Sequence, residues 1–303
     1  MLAVDVGGTT LACAVVASDG SISAESRATT PRTGDPETLF AEVTALARAS
    51  LRESGAPINA IGVGCGGPMR SPEGIVSPLH IPAWRDFPLR GRLSAEIGAP
   101  CVVDNDAKAF TLGEHWLGAG QGAGALLGVI VSTGVGGGIM VGGRLVHGAS
   151  GQAGHIGHVL VGRGYDAPVC DCGAIGCVEA IASGTALARR GGADAATLAE
   201  RARAGDATAL ELFGNAGRAL ARGIASAAAL LDLDRVVIGG GLGLGAWDLL
   251  VPALNAELAT AARLSFTRDL EPRRAVLGDR AGLIGAAKLA LDMTTAKSDL
   301  RGS

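Results

Sequence analysis

Two segments rich in glycine and hydroxyl side chains could hold phosphate groups. The first, residues 5–10 (DVGGTT), overlaps the end of an apolar run over residues 2–6. A turn of this kind directs backbone N–H groups at phosphate oxygens, and its acid can hold the water shell of Mg²⁺. The second, residues 132–138 (STGVGGG), follows an apolar run over residues 125–131. Each segment alone also fits an ordinary hairpin, but the pair predicts two loops that grip one polyphosphate.

A third glycine cluster, at residues 239–241, follows the apolar run 235–238 and could approach the adenosine part of a nucleotide. A plain turn from a strand to a helix fits this cluster as well. A dinucleotide fingerprint is a competing explanation of the glycines at 134–138, but no helix is predicted directly after them, as that motif requires. The predicted contacts to ATP and Mg²⁺ are Asp5, Gly7, Gly8, Thr9, Thr10, Thr133, Gly134, Gly136, Gly137, Gly240 and Gly241.

A carboxylate that could act as a general base stands in residues 104–107 (DNDA). The segment follows a predicted strand at 100–103 and precedes 107–117, which has helix-forming composition. Asp and Asn are favoured as helix N-caps, so capping is the alternative role, and the two roles are compatible. At a strand end, Asp106 can accept the proton of a hydroxyl that attacks the γ-phosphate of ATP. The positive end of the helix favours its ionised form. We predict Asp106 as the catalytic base.

One histidine and three cysteines have the composition of a structural zinc site. The cysteines follow the pattern Cys-x-Cys-x₄-Cys, and the glycines at 173 and 176 permit the tight turns that such a site needs. Free cysteines on a loop are the alternative. Glu179 comes two residues after the last cysteine, so a zinc site would fix its position. The predicted Zn²⁺ ligands are His158, Cys170, Cys172 and Cys177.

Composition excludes several classes of protein. The 303 residues carry a net charge of -3 and a pI near 6.0, which argues against a general nucleic-acid binder. No apolar run reaches the ~18 residues of a membrane span. The N-terminus lacks a basic region and meets Asp5 early, so it is interpreted as a strand and not as a signal peptide. We therefore expect a cytoplasmic protein, and in a reducing compartment a cysteine cluster favours a metal over disulfides.

The hydrophobic pattern predicts two similar halves. Each half opens with a strand, a glycine turn and a second strand, and continues into helices and a further strand, which suits a clamp around a nucleotide. Residues 69–90 contain four prolines and are predicted to be a loop, and residues 133–138 a turn. Strands are predicted at 2–6, 11–17, 21–29, 61–65, 100–103, 125–131, 139–141, 144–146 and 235–238, and helices at 36–54, 93–97, 107–117, 195–231, 246–263 and 281–292.

Taken together, these motifs resemble the ROK family of sugar kinases and repressors, over nearly the whole chain. Residues 5–10 are similar to the family's first phosphate loop, 132–138 to its second and 237–241 to its adenosine segment. The resemblance implies an α/β protein with the actin-like ATPase (ribonuclease H-like) fold, in which two lobes surround a nucleotide and sugar cleft. It implies a small N-terminal lobe of residues 1–107 completed by 282–303, and a large lobe of residues 108–281.

The resemblance also implies roles for single residues. Residues 105–107 (NDA) match the catalytic segment, which makes Asp106 the general base and Asn105 a sugar ligand. Residues 151–158 and 170–179 match the zinc and sugar-binding region, so Glu179 is implied to bind sugar hydroxyls. The predicted sugar-binding residues are Gly67, Asn105, Asp106, His155, His158 and Glu179.

Three positions depart from the pattern that the resemblance implies. Glucose-specific members usually have Glu where this chain has His155, whereas bacterial N-acetylmannosamine kinases resemble it, with a similar run at 176–184 (GCVEAIASG). His80 stands where many relatives have Asn, and Thr10 where Lys or Asn is usual. We therefore expect ATP-dependent phosphorylation of a hexose or N-acylhexosamine at its 6-hydroxyl. N-acetylmannosamine is the first expectation, glucose the second, and a rarer sugar or a cyclitol is the alternative.

Two other classes compete with a kinase. A ROK repressor needs a DNA-binding segment at its N-terminus, and a phosphate loop that begins at residue 5 leaves no room for one. A sugar sensor without catalysis is disfavoured because Asp106 and both phosphate segments are present. The expected partners are a small sugar and ATP, without nucleic acid or membrane. The resemblance also implies a homodimer or a larger homo-oligomer.

Overall fold

The chain forms two compact units. Unit 1 contains residues 1–118, the short segment 147–153 and the chain from residue 279 onward, and unit 2 contains residues 119–146 and 154–278. The structure, a computed structural model, describes residues 1–32, 34–162 and 167–299. Residues 163–166 and 300–303, which the predicted lobes include, lie outside the described residues. The lobe boundaries expected from the sequence, at 107 and 281, stay predictions.

Unit 1 is built on a five-stranded sheet in the order β3-β2-β1-β4-β7. The first three strands form an antiparallel meander, and β1, β4 and β7 run parallel. The carboxyl ends of these parallel strands therefore meet at one edge of the sheet. Its elements up to residue 118 are β1 (Leu2–Val6), β2 (Thr10–Val16), β3 (Ile22–Thr29), α1 (Pro36–Ser54), β4 (Ile61–Cys65), β5 (Met69–Arg70), β6 (Ile75–Val76), α2 (Leu89–Ile97), β7 (Cys101–Asn105) and α3 (Asp106–Leu117).

Unit 2 repeats this arrangement with the order β10-β9-β8-β11-β12. Again three strands form an antiparallel meander, and β8, β11 and β12 run parallel. Its elements are β8 (Ala125–Val131), β9 (Val135–Val141), β10 (Arg144–Leu145), α4 (Val178–Ala182), α5 (Gly184–Gly191), α6 (Ala195–Arg203), α7 (Ala207–Leu231), β11 (Arg235–Gly239), α8 (Gly241–Gly245), α9 (Trp247–Ala261) and β12 (Pro272–Arg274). Helix α10 (Ala281–Asp299) belongs to unit 1 and packs on α3. The two similar halves expected from the sequence are confirmed.

Local signals explain where helix α1 begins and ends. Asp35 accepts hydrogen bonds from the backbone N–H groups of Glu37 and Thr38, at 3.1 and 3.0 Å, and so satisfies donors that the first turn leaves open. Gly55 ends the helix in the left-handed conformation, with φ of 60°. The buried face includes Leu39 and other residues at helical spacing. The predicted helix over 36–54 is therefore confirmed.

Several predicted elements need correction. The last helix, α10, continues to Asp299 instead of ending at residue 292. Residues 69–90 are not only loop, because they contain the hairpin β5–β6, whose two-residue strands are too short to produce periodicity. Helix α2 begins at Leu89 instead of residue 93, and β7 continues to Asn105 instead of ending at 103. The helical stretch 195–231 is two helices. Gly205 breaks it with φ of 92°, and Asp206 caps α7.

The predicted turn over residues 133–138 is also shorter than expected. Strand β9 begins at Val135, so the last three glycines of the segment lie in the strand. A Cβ on Gly137 would come within 2.8 Å of the Gly128 carbonyl and 2.9 Å of the Gly154 carbonyl. Glycine is needed there for close backbone approach and not for turning. The absence of a helix directly after these glycines, which argued against a dinucleotide fingerprint, is confirmed.

Candidate active site

The first predicted phosphate segment forms the tight turn between β1 and β2. The Gly7 N–H donates to the Thr10 carbonyl at 3.0 Å, and the Thr30 hydroxyl donates to the Gly7 carbonyl at 2.7 Å. A Cβ on Gly8 would lie 2.6 Å from Cβ of His80. Only glycine at position 8 therefore lets the loop that carries His80 approach this turn. Residues 8–10 are exposed, so the turn is accessible to a ligand.

Strand register brings the carboxylates of unit 1 to one edge of the sheet. Asp5 on β1 pairs with Gly64 on β4, and Gly64 pairs with Asp104 on β7. Gly64 has no side chain, and a Cβ there would lie 3.6 Å from Cα of Asp106 and 3.8 Å from Oδ1 of Asp5. The missing side chain thus leaves Asp5 and Asp106 as close neighbours.

The electrostatics of Asp5 follow from this arrangement. Burial, and next the negative charge of Asp106, raise the pKa of Asp5 to about 7, although the Arg27 guanidinium acts in the opposite direction. Near neutral pH the carboxyl group of Asp5 is therefore partly protonated and partly ionised. A divalent cation bound beside it would favour the carboxylate, which suits a residue that holds a hydrated metal ion.

Asn105 and Asp106 lie where strand β7 becomes helix α3. Asn105 is the N-cap, and its Oδ1 accepts from the Ala107 N–H at 3.0 Å, while Asp106 Oδ1 accepts from the same N–H at 2.8 Å. Both side chains are half-buried, as a base that must meet a substrate requires. A Cβ on Gly67 would lie 3.5 Å from Asn105 Nδ2, and one on Gly66 3.8 Å from Asp106 Oδ2. The predicted sugar contacts Gly67, Asn105 and Asp106 are thus neighbours.

The second predicted phosphate segment is held by the start of helix α5. The Gly184 N–H donates to the Ser132 carbonyl at 2.8 Å, and the Thr185 hydroxyl donates to the Thr133 carbonyl at 2.9 Å. A Cβ on Gly184 would lie 2.9 Å from the Ser132 oxygen, so glycine is needed at this contact. The turn is therefore anchored by a helix that the sequence analysis did not predict.

Glu179 contacts the same segment from helix α4. Its Oε2 accepts from the Val135 N–H at 2.8 Å, and a Cβ on Gly134 would lie 2.6 Å from this oxygen. The structure therefore places a predicted sugar ligand against a predicted phosphate contact. A carboxylate has several lone pairs, so this bond leaves Glu179 able to accept from a second donor.

A cavity of about 580 Å³ opens beside this segment within unit 2. Its volume falls in the range of roughly 300–1,000 Å³ that is typical of small-molecule pockets. Five alanines, three glycines and Leu242 line it and offer apolar contact to a flat ring, and Asp194, Glu200 and Arg203 line it as well. Two predicted nucleotide contacts, Thr133 and Gly241, line it. Gly240 lies next to them with φ of 85°, and a Cβ on it would lie 2.5 Å from the Val131 carbonyl.

Sequence reasoning missed the opposite wall of this cavity. Helices α5 and α6 contribute residues such as Thr185, Ala188, Ala196 and Ala199. The capping residues Ser183 and Asp194 are a signal for these helices, but no local pattern indicates that alanines some 50 residues beyond the turn would face it. By contrast, Gly136 and Gly137 lie inside β9.

The four predicted metal ligands come together in unit 2. His158 Nδ1 lies 3.7 Å from Cys170 Sγ, and Cys172 Sγ lies 3.7 Å from Cys177 Sγ. All four ligand atoms lie within 4.8 Å of one another. With Zn–S bonds of about 2.3 Å, tetrahedral geometry separates two sulfurs by about 3.8 Å. The spacing of these atoms therefore fits a tetrahedral zinc ion.

The chemistry of the donor set fits a cation too. Burial, together with the neighbouring cysteines, raises the pKa of the Cys177 thiol to about 12. Such a thiol becomes a thiolate when a metal supplies the compensating charge. Cys177 is also the N-cap residue of α4, so the cluster is joined directly to the helix that carries Glu179. The His155 and His158 rings lie 6.0 Å apart.

Comparison with known proteins identifies the family. The sequence model described as "ROK family" matches residues 1–293. This chain belongs to the ROK family.

Curated ROK relatives include two kinds of sugar kinase. An N-acetylmannosamine kinase from Shigella flexneri is 37% identical, and the alignment covers 96% of this chain and 98% of the relative. A glucokinase from Halalkalibacterium halodurans is 34% identical, and the alignment covers 94% of this chain and 93% of the relative. The similarity therefore extends over both units, but it does not separate the two kinds of kinase.

Solved ROK structures share the fold. A ROK hexokinase from Thermus thermophilus is 36% identical with a TM-score of 0.86, and 98% of this chain and 99% of that chain are covered. A ROK glucokinase from Streptomyces griseus, in complex with glucose and AMPPNP, is 30% identical with a TM-score of 0.82. The match covers 96% of this chain and 99% of that chain. These ROK kinases have the actin-like ATPase fold, so the predicted fold class is confirmed. Along the described residues, no helix combines the length and apolar character needed to cross a bilayer.

Proposed function

We propose that this ROK protein is a kinase that transfers the γ-phosphoryl group of ATP to a hydroxyl of a hexose or N-acylhexosamine. One observation carries the proposal. The carboxylates Asp5, on β1, and Asp106, directly after β7, are close neighbours across strand β4, in a chain that is 34–37% identical to named sugar kinases over most of its length. A metal-binding acid beside a base is what phosphoryl transfer to an alcohol requires.

Asp106 acts as the general base in this proposal. Its carboxylate accepts the proton of the sugar 6-hydroxyl as that oxygen forms a bond to the γ-phosphorus. The bond between this phosphorus and the bridging oxygen breaks, and ADP leaves. The N-terminal position of Asp106 on α3 favours the carboxylate that the step requires. Asn105 fixes the acceptor sugar from the preceding position.

Each unit contributes one turn for phosphate groups, after β1 in unit 1 and after β8 in unit 2. In unit 1, the proposed phosphate contacts are Gly7, Gly8, Thr9 and Thr10. The Gly7 N–H closes the turn on the Thr10 carbonyl, which leaves the exposed residues 8–10 facing solvent. Asp5 would hold the hydrated Mg²⁺ ion, which would neutralise charge on the transferred group. In unit 2, the proposed contacts are Thr133 and Gly134 in the turn, together with Gly136 and Gly137 in the adjoining strand β9. The adenosine lies in the cavity lined by Thr133 and Gly241, where alanine side chains pack on the base.

The metal cluster positions sugar ligands. Zinc would be held by His158, Cys170, Cys172 and Cys177, and it would supply a rigid crosslink without taking part in phosphoryl transfer. Nδ1 of His158 faces the cluster, which leaves Nε2 to donate to a sugar hydroxyl. The cluster also fixes the N-cap residue of α4, Cys177, and thereby Glu179, which accepts from sugar hydroxyls.

His155 is the proposed reader of the sugar at C2. An imidazole can donate as well as accept, whereas a carboxylate only accepts, so the residue suits a bulkier or amide-bearing substituent. N-acetylmannosamine is accordingly the first proposed substrate and glucose the second. Gly67, beside Asn105, contributes the backbone wall of the sugar site. The homo-oligomer implied by the family and the cytoplasmic location stay predictions.

The test is ADP release from Mg²⁺–ATP across a panel of sugars: N-acetylmannosamine, glucose, mannose, N-acetylglucosamine, glucosamine, allose and fructose. We expect turnover on one or two of them, with N-acetylmannosamine leading. Turnover must depend on Asp106, which the Asp106→Asn variant checks, and not on the exposed Asp19, which Asp19→Asn checks. No turnover on any sugar, together with no binding of AMPPNP, would overturn the proposal.

A further inference from the structure

Lys108 is a fully buried cation beside the proposed catalytic base. It follows Asp106 by two residues on helix α3, and only 1% of its surface is exposed. Its Nζ donates to the Gly151 carbonyl at 2.6 Å and lies 3.3 Å from Oδ1 of Asp104. Asp104 is itself 3% exposed. Desolvating such a pair costs as much as it returns, so stability alone gives little reason for a buried ion pair.

Asp104 joins this lysine to the catalytic segment. Its Oδ1 accepts the backbone N–H of Asn105 at 2.8 Å, and its Oδ2 lies 3.1 Å from Nδ1 of His147. Burial by itself would raise the pKa of Asp104, but the hydrogen bond from His147, the charge of Lys108 and the Asn105 N–H together hold this pKa below its ordinary value. The Asp104 carboxylate is therefore ionised and held on three sides.

The other partner of Lys108 lies in the segment 147–153. This segment belongs to unit 1, although the chain on both sides of it belongs to unit 2. Gln152 Nε2 donates to the Met69 carbonyl at 2.7 Å, and the Ala153 N–H donates to the His147 carbonyl at 3.0 Å. Gly151 has φ of 79°, and a Cβ on it would lie 2.6 Å from Cβ of Ser71. The segment is thus a closed turn that packs tightly on unit 1.

Two functional elements meet at Lys108. On one side, its charge and Asp104 fix the backbone of Asn105, which precedes the proposed base. On the other side, its ammonium group holds Gly151, only four residues before His155, the proposed reader of the sugar. Lys108 touches neither substrate in this proposal. It connects the backbone next to Asp106 to Gly151, from which the chain continues to His155.

We propose that Lys108 is a positioning residue for phosphoryl transfer, which ties segment 147–153 to helix α3 and so aligns the acceptor sugar with Asp106. This inference rests on the proposed kinase function. It predicts that the loss of Lys108 weakens sugar binding and slows transfer, while the nucleotide cavity, which is lined by other elements, keeps its affinity for ATP.

The deciding experiment measures KM for the sugar, KM for ATP and kcat in Lys108→Met. Methionine keeps the length and the apolar contacts of the stem but removes the charge and the donor. We expect the sugar KM to rise and kcat to fall so that kcat/KM for the sugar drops about 10–100-fold. The KM for ATP should stay close to that of the native chain. Lys288→Met, which removes a partly exposed lysine of α10 that pairs with Asp292, is the matched control and should change none of the three.

A second variant separates positioning from charge balance. The double variant Asp104→Asn/Lys108→Met removes both buried charges. Its thermal stability should therefore recover relative to Lys108→Met, in which the Asp104 charge has lost the ammonium group. The sugar KM should remain high, because the tie to Gly151 is still missing. If the sugar KM recovers together with stability, Lys108 serves charge balance alone and the inference is wrong.

Failure of the kinase proposal gives a different result. If the native chain turns over no sugar with ATP, both proposals are overturned together. If the native chain is active and Lys108→Met has native values of kcat and sugar KM despite a lower melting temperature, only the positioning role is overturned.

Discussion

The two units repeat one strand order but carry different side chains at corresponding strand ends. In unit 1 the parallel strands end in ionisable groups: Asp5 on β1 and Asp104 on β7, followed by Asp106 and the buried Lys108. In unit 2 the two inner parallel strands, β8 and β11, end in neutral groups, at Ser132 and the glycines 239–241, whereas the edge strand β12 ends in Arg273 and Arg274. A repeated scaffold thus supplies two equivalent edges, and side-chain chemistry distinguishes them.

This difference has physical consequences. Charges at a buried edge shift each other's pKa, which is useful for moving a proton or holding a metal but costs stability. The strand ends Ser132 and Gly239–Gly241 carry no charge, and the alanines of the neighbouring cavity suit contact with a flat ring. We propose proton transfer and Mg²⁺ binding for unit 1 and adenosine binding for unit 2, and each of the following changes tests that difference between the units.

The largest effect is expected from Asp106→Asn. The amide cannot take the hydroxyl proton, so kcat should fall by about 10³-fold or more. AMPPNP binding, measured by calorimetry without sugar, should be retained because the adenosine cavity belongs to unit 2. Asp19→Asn, which changes an exposed carboxylate bonded to Ser21, should behave like the native chain in both assays. A kcat within about tenfold of native would remove Asp106 from the role of base.

Cys177→Ser should have the next largest effect. The change removes a proposed zinc ligand at the N-cap residue of α4, so Glu179 loses its support. Bound zinc, measured by mass spectrometry of metals, should drop, and the sugar KM should rise by about 10–100-fold.

The control for this cysteine is Cys101→Ser, which changes a buried thiol outside the cluster. It should leave the zinc content unchanged. Treatment of the native chain with a strong chelator should reproduce the effect of Cys177→Ser on the sugar KM. Full zinc content in Cys177→Ser would show that the cluster does not hold the metal through this residue.

Ala188→Phe tests the nucleotide side of the comparison. The new ring would occupy the cavity of about 580 Å³ that Ala188 lines. The KM for ATP should rise by about tenfold or more, whereas the KM for the sugar should change little. Ala204→Phe, at an exposed position after α6, is the control. Equal increases in both KM values would contradict the separation of the two binding functions.

The smallest effect concerns the stability of the protein as pH changes. The folded-state pKa of Asp5 is raised to about 7, whereas its ordinary value is near 3.8. A raised pKa means that the unfolded state ionises first, so stability is complete below about pH 4 and is lost as pH rises toward 7. Asp5→Asn removes this loss. The difference in melting temperature between this variant and the native chain should therefore grow from pH 4 to pH 7 and stay constant above pH 7.

Scanning calorimetry of both proteins across this pH range measures the difference. The stabilised variant should lose Mg²⁺-dependent activity, since Asp5 serves the metal ion in our proposal. A constant difference in melting temperature at all pH values would mean that Asp5 is not forced to stay protonated.

Parts of the fold and site follow from local patterns and could be predicted. Strand β4 and helix α1 have the bounds that their apolar pattern and caps indicate. The spacing of His158 with the three cysteines predicted a cluster, and the four side chains do lie together. Hairpin β5–β6 and helices α4 and α5 were not predicted, because each is too short to complete a periodic pattern.

The sequence by itself determined the family, the repeated order of elements and the type of chemistry, because these depend on residue types at short spacing. Only the tertiary structure decided which distant residues become neighbours. Asp5 lies near Asp106 because strand register aligns β1 with β4 and β7, and Glu179 contacts Val135 because α4 packs beside the turn after β8. Lys108 is buried because a segment some 40 residues later in the chain closes over it. Such contacts depend on the packing of whole elements, which no local pattern encodes.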